Sequence, residues 1–139
     1  MITAVCDSNV YISALVFGGM PREVVVLGEV GSIQLLASVA LVSEVERVLL
    51  RKFGWEQHHL RRFCGPLWDA CRFVEPVTEV EFCRDLKDDH LLALAIDGHA
   101  DYLITGDNDL LVVGGFQSVR ILSPADFWHE KPWIARSEP

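Results

Sequence analysis

Acidic residues in this chain recur where apolar runs end. The run "AVCD" passes from buried-strand character to a carboxylate at Asp7, and "LITGD" does the same at Asp107. Between them "RDLKDDH" places Asp85, Asp88 and Asp89 at the edge of the apolar run "LLALA", while "VALVSEVERVLLRKF" holds Glu44 and Glu46. Taken singly, each has an ordinary use: Asp7 and Asp88 suit helix N-caps, and Asp107 suits a turn. Gathered in one cleft, carboxylates repel by on the order of 4 kcal/mol per pair at ~4 Å and an effective dielectric of ~20. A divalent cation is the simplest compensation. Oxygen-only donors favour Mg2+ or Mn2+ over zinc. Such sites do phosphoryl chemistry, and two ions about 4 Å apart serve an in-line hydrolysis, one activating water and the other stabilising the leaving oxygen.

The elements that must position these acids follow from periodicity and punctuation. "ITAVC" reads as a buried strand, "NVYISALVF" as a helical segment stopped by Gly18-Gly19, and "PREVVVLGEVG" as a helix with Pro21 at its first position and Gly31 closing it. "IQLLA" is a short strand. Ser38 can cap the long helix that carries Glu44, whose apolar residues 41, 42, 45, 48 and 49 recur at helical spacing. "WEQHHLRRFCGPLWDACRFV" is helical with a break at Gly65-Pro66, and "FVEPV" is a third strand ahead of the polar segment "TEVEFCRDLKDD". "HLLALAIDGHA" is a helix, "DYLIT" a strand, "GDNDLL" a turn into a short helical piece and "SVRIL" a strand. "SPADFWHE" is a last helix with Ser123 as cap and Pro124 at its first position. Strands alternating with helices imply a parallel sheet covered on both faces, with its site outside the carboxyl ends of the strands near a topological switch point.

The 139 residues suit a single domain, with a core from about residue 2 to 127 and a short tail over 128–139 that ends in the polar "RSEP". No apolar run approaches the ~20 residues of a spanning helix, and "MITAV" has no basic region ahead of a hydrophobic segment, so the expectation is an unexported, cytoplasmic protein. Four cysteines without a C-x-x-C pair read as buried thiols in a reducing compartment. Twelve basic against twenty acidic residues give a net charge of −8, so a nucleic-acid partner would need metal ions or a local basic patch.

The pieces "VCDSNVYISAL", "LVSEVERVLLRKF", "CRDLKDDHLLALAIDGHADYLITGDNDLL" and "VRILSPADF" together resemble a PIN domain, in particular the small stand-alone VapC-like toxins of toxin–antitoxin pairs, over about residues 2 to 127. The resemblance implies a three-layer α/β/α sandwich around a central parallel sheet, metal-dependent ribonuclease activity with Mg2+ or Mn2+, an RNA substrate, a homodimer and a cognate antitoxin. Carried over by position, the Asp of the family's opening D-[ST]-N falls on Asp7, with Asn9 as its hydrogen-bonding neighbour. The acid of the helix after the second strand falls on Glu44, the third acid on Asp88, and T-x-D on Thr105 and Asp107, with Asp109 as an additional acid. Asp7, Glu44, Asp88 and Asp107 are thus the implied metal ligands and catalytic residues. Periodicity alone does not choose Glu44 over Glu46, and Asp89 remains a rival to Asp88.

Arg51 and Lys52, at the end of the Glu44 helix, and Arg61 and Arg62 are the candidate RNA-binding cations, with Arg72 and Arg84 as further basic positions; basic residues at a helix C-terminus also complement its dipole. His58 and His59 are adjacent and diverge on a helix. The four tryptophans suit packing better than base stacking. A haloacid-dehalogenase-like phosphatase also places an Asp after its first strand, but its second acid two residues on is Asn9 here. The non-enzymatic alternative is a catalytically silent PIN fold that binds RNA or protein.

Overall fold

The computed structural model describes residues 1–137. Strand β1 is Thr3–Cys6, followed by helices α1 at Ser8–Val16 and α2 at Gly19–Glu29. Strand β2 is Gln34–Ala37, α3 is Val39–Lys52 and α4 is Gln57–Ala70. Then come β3 at Arg72–Phe73, α5 at Leu86–Asp97, β4 at Tyr102–Ile104 and α6 at Asn108–Val113. The hairpin β5, Gly115–Phe116, and β6, Val119–Leu122, leads into α7 at Pro124–Glu130 and α8 at Pro132–Ser137.

One six-stranded sheet runs in the order β3-β2-β1-β4-β6-β5. β1 pairs in parallel with both β2 and β4, and β3 and β6 extend the parallel pattern outwards. Only β5 is antiparallel. Because the chain steps from β1 to β2 on one side and returns to β4 on the other, the carboxyl ends of β1 and β4 flank the switch point, where such sheets keep their sites.

The two faces are legible in β2, where successive side chains point to opposite sides. Leu35 meets Gly28 of α2 and Leu36 meets Gly98 at the end of α5, each so closely that a Cβ on either glycine would collide with the leucine. Helix α5 therefore covers one face, against β1, β2 and β4, while α2 covers the other with α1, α4 and α7 packed against it. The result is a three-layer α/β/α sandwich. The apolar run of α2 serves this core: Val24, Val25 and Leu27 are all buried. Packing also continues past residue 127, since Trp133 of α8 is buried with its ring 5.2 Å from that of Phe127. Among the described residues no single helix is long and apolar enough to cross a membrane.

Several elements differ from their sequence expectation. Helix α4 runs through Gly65-Pro66 without a break. Pro66 and Arg62, whose carbonyl loses its helical partner there, both lie on the exposed face, where water can satisfy the orphan. The expected strand "FVEPV" shrinks to Arg72–Phe73 plus a Val74 amide that donates to the Ala37 carbonyl at 2.9 Å. The chain then crosses α5 as an irregular strap pinned by two carboxylates. Asp97 accepts from the Val77 and Thr78 amides at 2.6 and 2.9 Å and from the Thr78 hydroxyl, and Asp89 accepts from the Phe82 and Cys83 amides at 3.1 and 2.7 Å. The sheet is not wholly parallel, because β5 turns back into β6 through a two-residue hairpin at Gln117-Ser118, where Gln117 takes a left-handed conformation (φ 53°). The caps at Ser38 and Ser123 form as expected, accepting from Leu41 at 3.2 Å and Asp126 at 3.1 Å.

Two identical substitutions in helices test the packing. Gly28→Ala drives a methyl into buried Leu35 and should destabilise the protein by about 1–2 kcal/mol. Gly65→Ala enters open space and should change stability by less than about 1 kcal/mol. Urea unfolding reads both, and equal effects would contradict the close approach of α2 to the sheet.

Candidate functional site

Asp7 ends β1 and is the N-cap residue of α1, but its side chain makes no capping bond. Its backbone amide instead donates to the Ile104 carbonyl at 2.9 Å, which locks the end of β1 to the end of β4. The carboxylate is 7% exposed and held by its neighbours. The Thr105 hydroxyl donates to Oδ2 at 2.8 Å, the Asn9 amide to Oδ2 at 3.3 Å and the Ser8 hydroxyl to Oδ1 at 3.3 Å. Burial raises the Asp7 carboxyl above its ordinary range; the Thr105 and Ser8 bonds oppose that rise, and the charge of Glu44 adds to it.

Thr105 works in two directions. Its oxygen also accepts from the Asp107 amide at 3.0 Å, so one buried hydroxyl joins the two strand-end acids. Asn9 closes the same ring, accepting from the Gly106 amide at 3.2 Å through Oδ1. The Asp107 side chain accepts from the Asp109 amide at 2.9 Å and so caps α6.

Asp88 and Asp89 begin α5, which starts at Leu86, four residues before the expected "HLLALAIDGHA". Both are buried, yet they face different work. Asp89 holds the strap amides already described. Asp88 is pushed up to about 6 by burial first, then by the charges of Asp107, Asp7, Asp85 and Asp109; none of these causes is a hydrogen bond. Glu44 and Glu46 separate in the same way. Glu44 carries a side chain 20% exposed whose charge acts on Asp7, while Glu46 turns toward α4 and accepts from the Trp68 indole at 3.1 Å. The hydrogen bond between Ser38 and His90, 3.1 Å, ties the start of α3 to α5, and Glu44 meets α5 through Lys87.

Asp88 thus lies within electrostatic reach of Asp7 and Asp107, and Asp7 within reach of Glu44, while Asp89 is taken up by the strap amides and Glu46 by Trp68. Asp109 is exposed beside the rim, with Arg84 at 3.4 Å. Arg51 and Lys52 lie exposed at the end of α3, about 10 Å along the helix from Glu44. Arg61 and Arg62 are on the exposed face of α4, with the Arg62 guanidinium 5.5 Å from the Phe63 ring centre. One residue escaped the sequence reading: the Lys87 ammonium sits 2.8 Å from Glu44 Oε1. A lone cation inside "DLKDD" was the available signal. The four cysteines are free, and burial pushes the thiol of Cys64 up to about 12 and those of Cys71 and Cys83 to about 11.

Among the described residues no three His, Cys, Asp or Glu side chains are grouped as a ready metal-binding set. The donors still suit a hard cation in kind. They are oxygen only, and their mutual repulsion, visible at Asp88, is the stress that a cation relieves. Mg2+ keeps several of its waters, so a few carboxylates suffice.

An α/β sandwich with its acids at the carboxyl rim of the central strands defines a class of domain that does its chemistry at that rim. The chain matches the PIN domain family over residues 3–109 and belongs to it. The PIN domain is a nuclease fold, and its nucleases bind nucleic acid and in general use divalent metal ions. No curated protein matches the chain.

The crowding has a measurable sign. An acid whose folded pKa, about 6, exceeds its ordinary 3.8 binds protons more tightly in the native state, so its contribution to stability falls as pH rises through that window. Without divalent cations, Asp88→Asn should therefore stabilise the protein by about 1–2 kcal/mol at pH 7.5, a gain that fades toward pH 4. Urea titrations at the two pH values measure this, and equal wild-type and variant stability at pH 7.5 would contradict it.

Proposed function

We propose that this PIN domain is an endoribonuclease dependent on Mg2+ or Mn2+, acting through Asp7, Glu44, Asp88 and Asp107, and that it is the toxin of a toxin–antitoxin pair. The observation that supports it most is the charge crowding at Asp88 by Asp107 and Asp7, three acids from separate segments of chain. Asp7, Glu44, Asp88 and Asp107 would hold the cation, which when bound supplies an activated water and neutralises phosphate charge.

The chain's own groups do the positioning. The Thr105 hydroxyl and the Asn9 amide fix Oδ2 of Asp7, so its carboxylate is held on the rim rather than free to rotate. The Asp107 backbone is fixed through the same hydroxyl. RNA as substrate and the toxin role rest on the likeness to stand-alone VapC-like proteins. In that role an antitoxin covers the acidic rim, offering a basic side chain to the acids, and the toxin is a homodimer.

A catalytically silent, RNA- or protein-binding PIN fold is the second reading, favoured by one observation: Lys87 already neutralises Glu44 at 2.8 Å. Incubation of a mixed pool of single-stranded and structured RNA with Mg2+, Mn2+ or EDTA separates the two. The expected result is cutting that EDTA abolishes and that Asp7→Asn and Asp107→Asn each reduce by more than about 100-fold, beyond the 10–100-fold typical of outer-shell changes. Folded protein that cuts nothing with either metal would move the reading to the silent module.

A further inference from the structure

A cleft of about 690 Å³ adjoins the acidic rim and shares Asp88 with it. Its walls are strap residues 82–85, the start of α5 at Leu86 and helix α6, and their character differs from the rim's. Phe82, Leu86 and Val112 are 55%, 84% and 86% exposed, an apolar lining in a part of the surface that is otherwise charged. Phe82 is nonetheless placed. Its ring lies 4.9 Å from that of Phe116 on β5 at a tilt of 52°, and its backbone amide is bound by Asp89, so the ring has an aromatic neighbour while over half of the residue stays open. Arg84, with a side chain 90% exposed, stands at the same cleft opposite Asp109.

An aromatic face held in place, a guanidinium beside it and an acidic reaction centre at the end of the same cleft fit one occupant, an unpaired nucleotide. Unstacked bases are bound on aromatic rings and guanidinium planes. We infer that this cleft is the subsite for an unpaired base next to the cleaved bond, with Phe82 as its stacking platform and Arg84 as the cation for its phosphate. The inference rests on the nuclease reading above and adds to it where the strand lies. It also accounts for the position of Asp89, which pins the Phe82 wall while its neighbour Asp88 faces the rim.

A short single-stranded RNA containing one 2-aminopurine, whose fluorescence reports stacking, tests it in Mg2+ with wild type, Phe82→Ala and Phe82→Tyr. Phe82 is exposed enough for the alanine variant to fold, and thermal melts check this. The expected result is a KM about 10-fold higher for Phe82→Ala with kcat unchanged, recovery in Phe82→Tyr, and a fluorescence change on binding that Phe82→Ala loses. Cleavage with the KM and fluorescence response of wild type in Phe82→Ala would overturn the subsite, leave the nuclease reading standing and mark the cleft as a protein-docking face. A KM rise that Phe82→Tyr does not relieve would likewise overturn it. Wild type that neither binds nor cuts the RNA would overturn both.

Discussion

The arrangement depends on the parallel pairing of β1 with β4, two strands far apart in the chain that end side by side. The Asp7 amide donating to the Ile104 carbonyl fixes their ends. The Thr105 hydroxyl then serves both acids, donating to the Asp7 carboxylate and accepting from the Asp107 amide. One buried oxygen thereby orients groups a hundred residues apart. A strand-end threonine is ordinary β chemistry; here its side chain is fully buried because it has two polar partners.

Gathering acids has an electrostatic cost, which the fold meets only in part. Asp7 is compensated by three side-chain donors, and Glu44 by the Lys87 ammonium. Asp88 is left with burial and like charges, which push it up to about 6. That imbalance is what a cation at the rim would correct, and it separates a site from a set of helix caps. Satisfied caps lie nearby: the Asp85 carboxylate accepts from the Lys87 amide at 2.9 Å and does the work that sequence reasoning had offered to Asp88.

The alternation of strands and helices and the acids at strand ends were legible because apolar runs and capping residues are local signals, whereas the order of strands across the sheet was not. Periodicity could not divide Glu44 from Glu46, since both flank the apolar stripe of α3; a contact with Trp68 from another helix makes the division. Asp88 and Asp89 are adjacent and alike in sequence, and only the strap amides that Asp89 binds tell them apart. The family resemblance, not periodicity, is what places the proposed roles on Glu44 and Asp88. Phe82 and the cleft were invisible because they depend on an irregular strap whose path is set by two carboxylates of α5 rather than by any repeating pattern, and Lys87 because its partner lies on another helix.

The central claim is that Asp7, Asp88 and Asp107, three of the four proposed ligands, share one cation site. Crystals grown with Mn2+ test it most directly, because anomalous scattering locates the ion without reference to activity. The account predicts a Mn2+ peak bounded by these three carboxylates, lost in Asp88→Asn and retained in Glu46→Gln. A peak elsewhere, or none at the rim in the wild type, would contradict it.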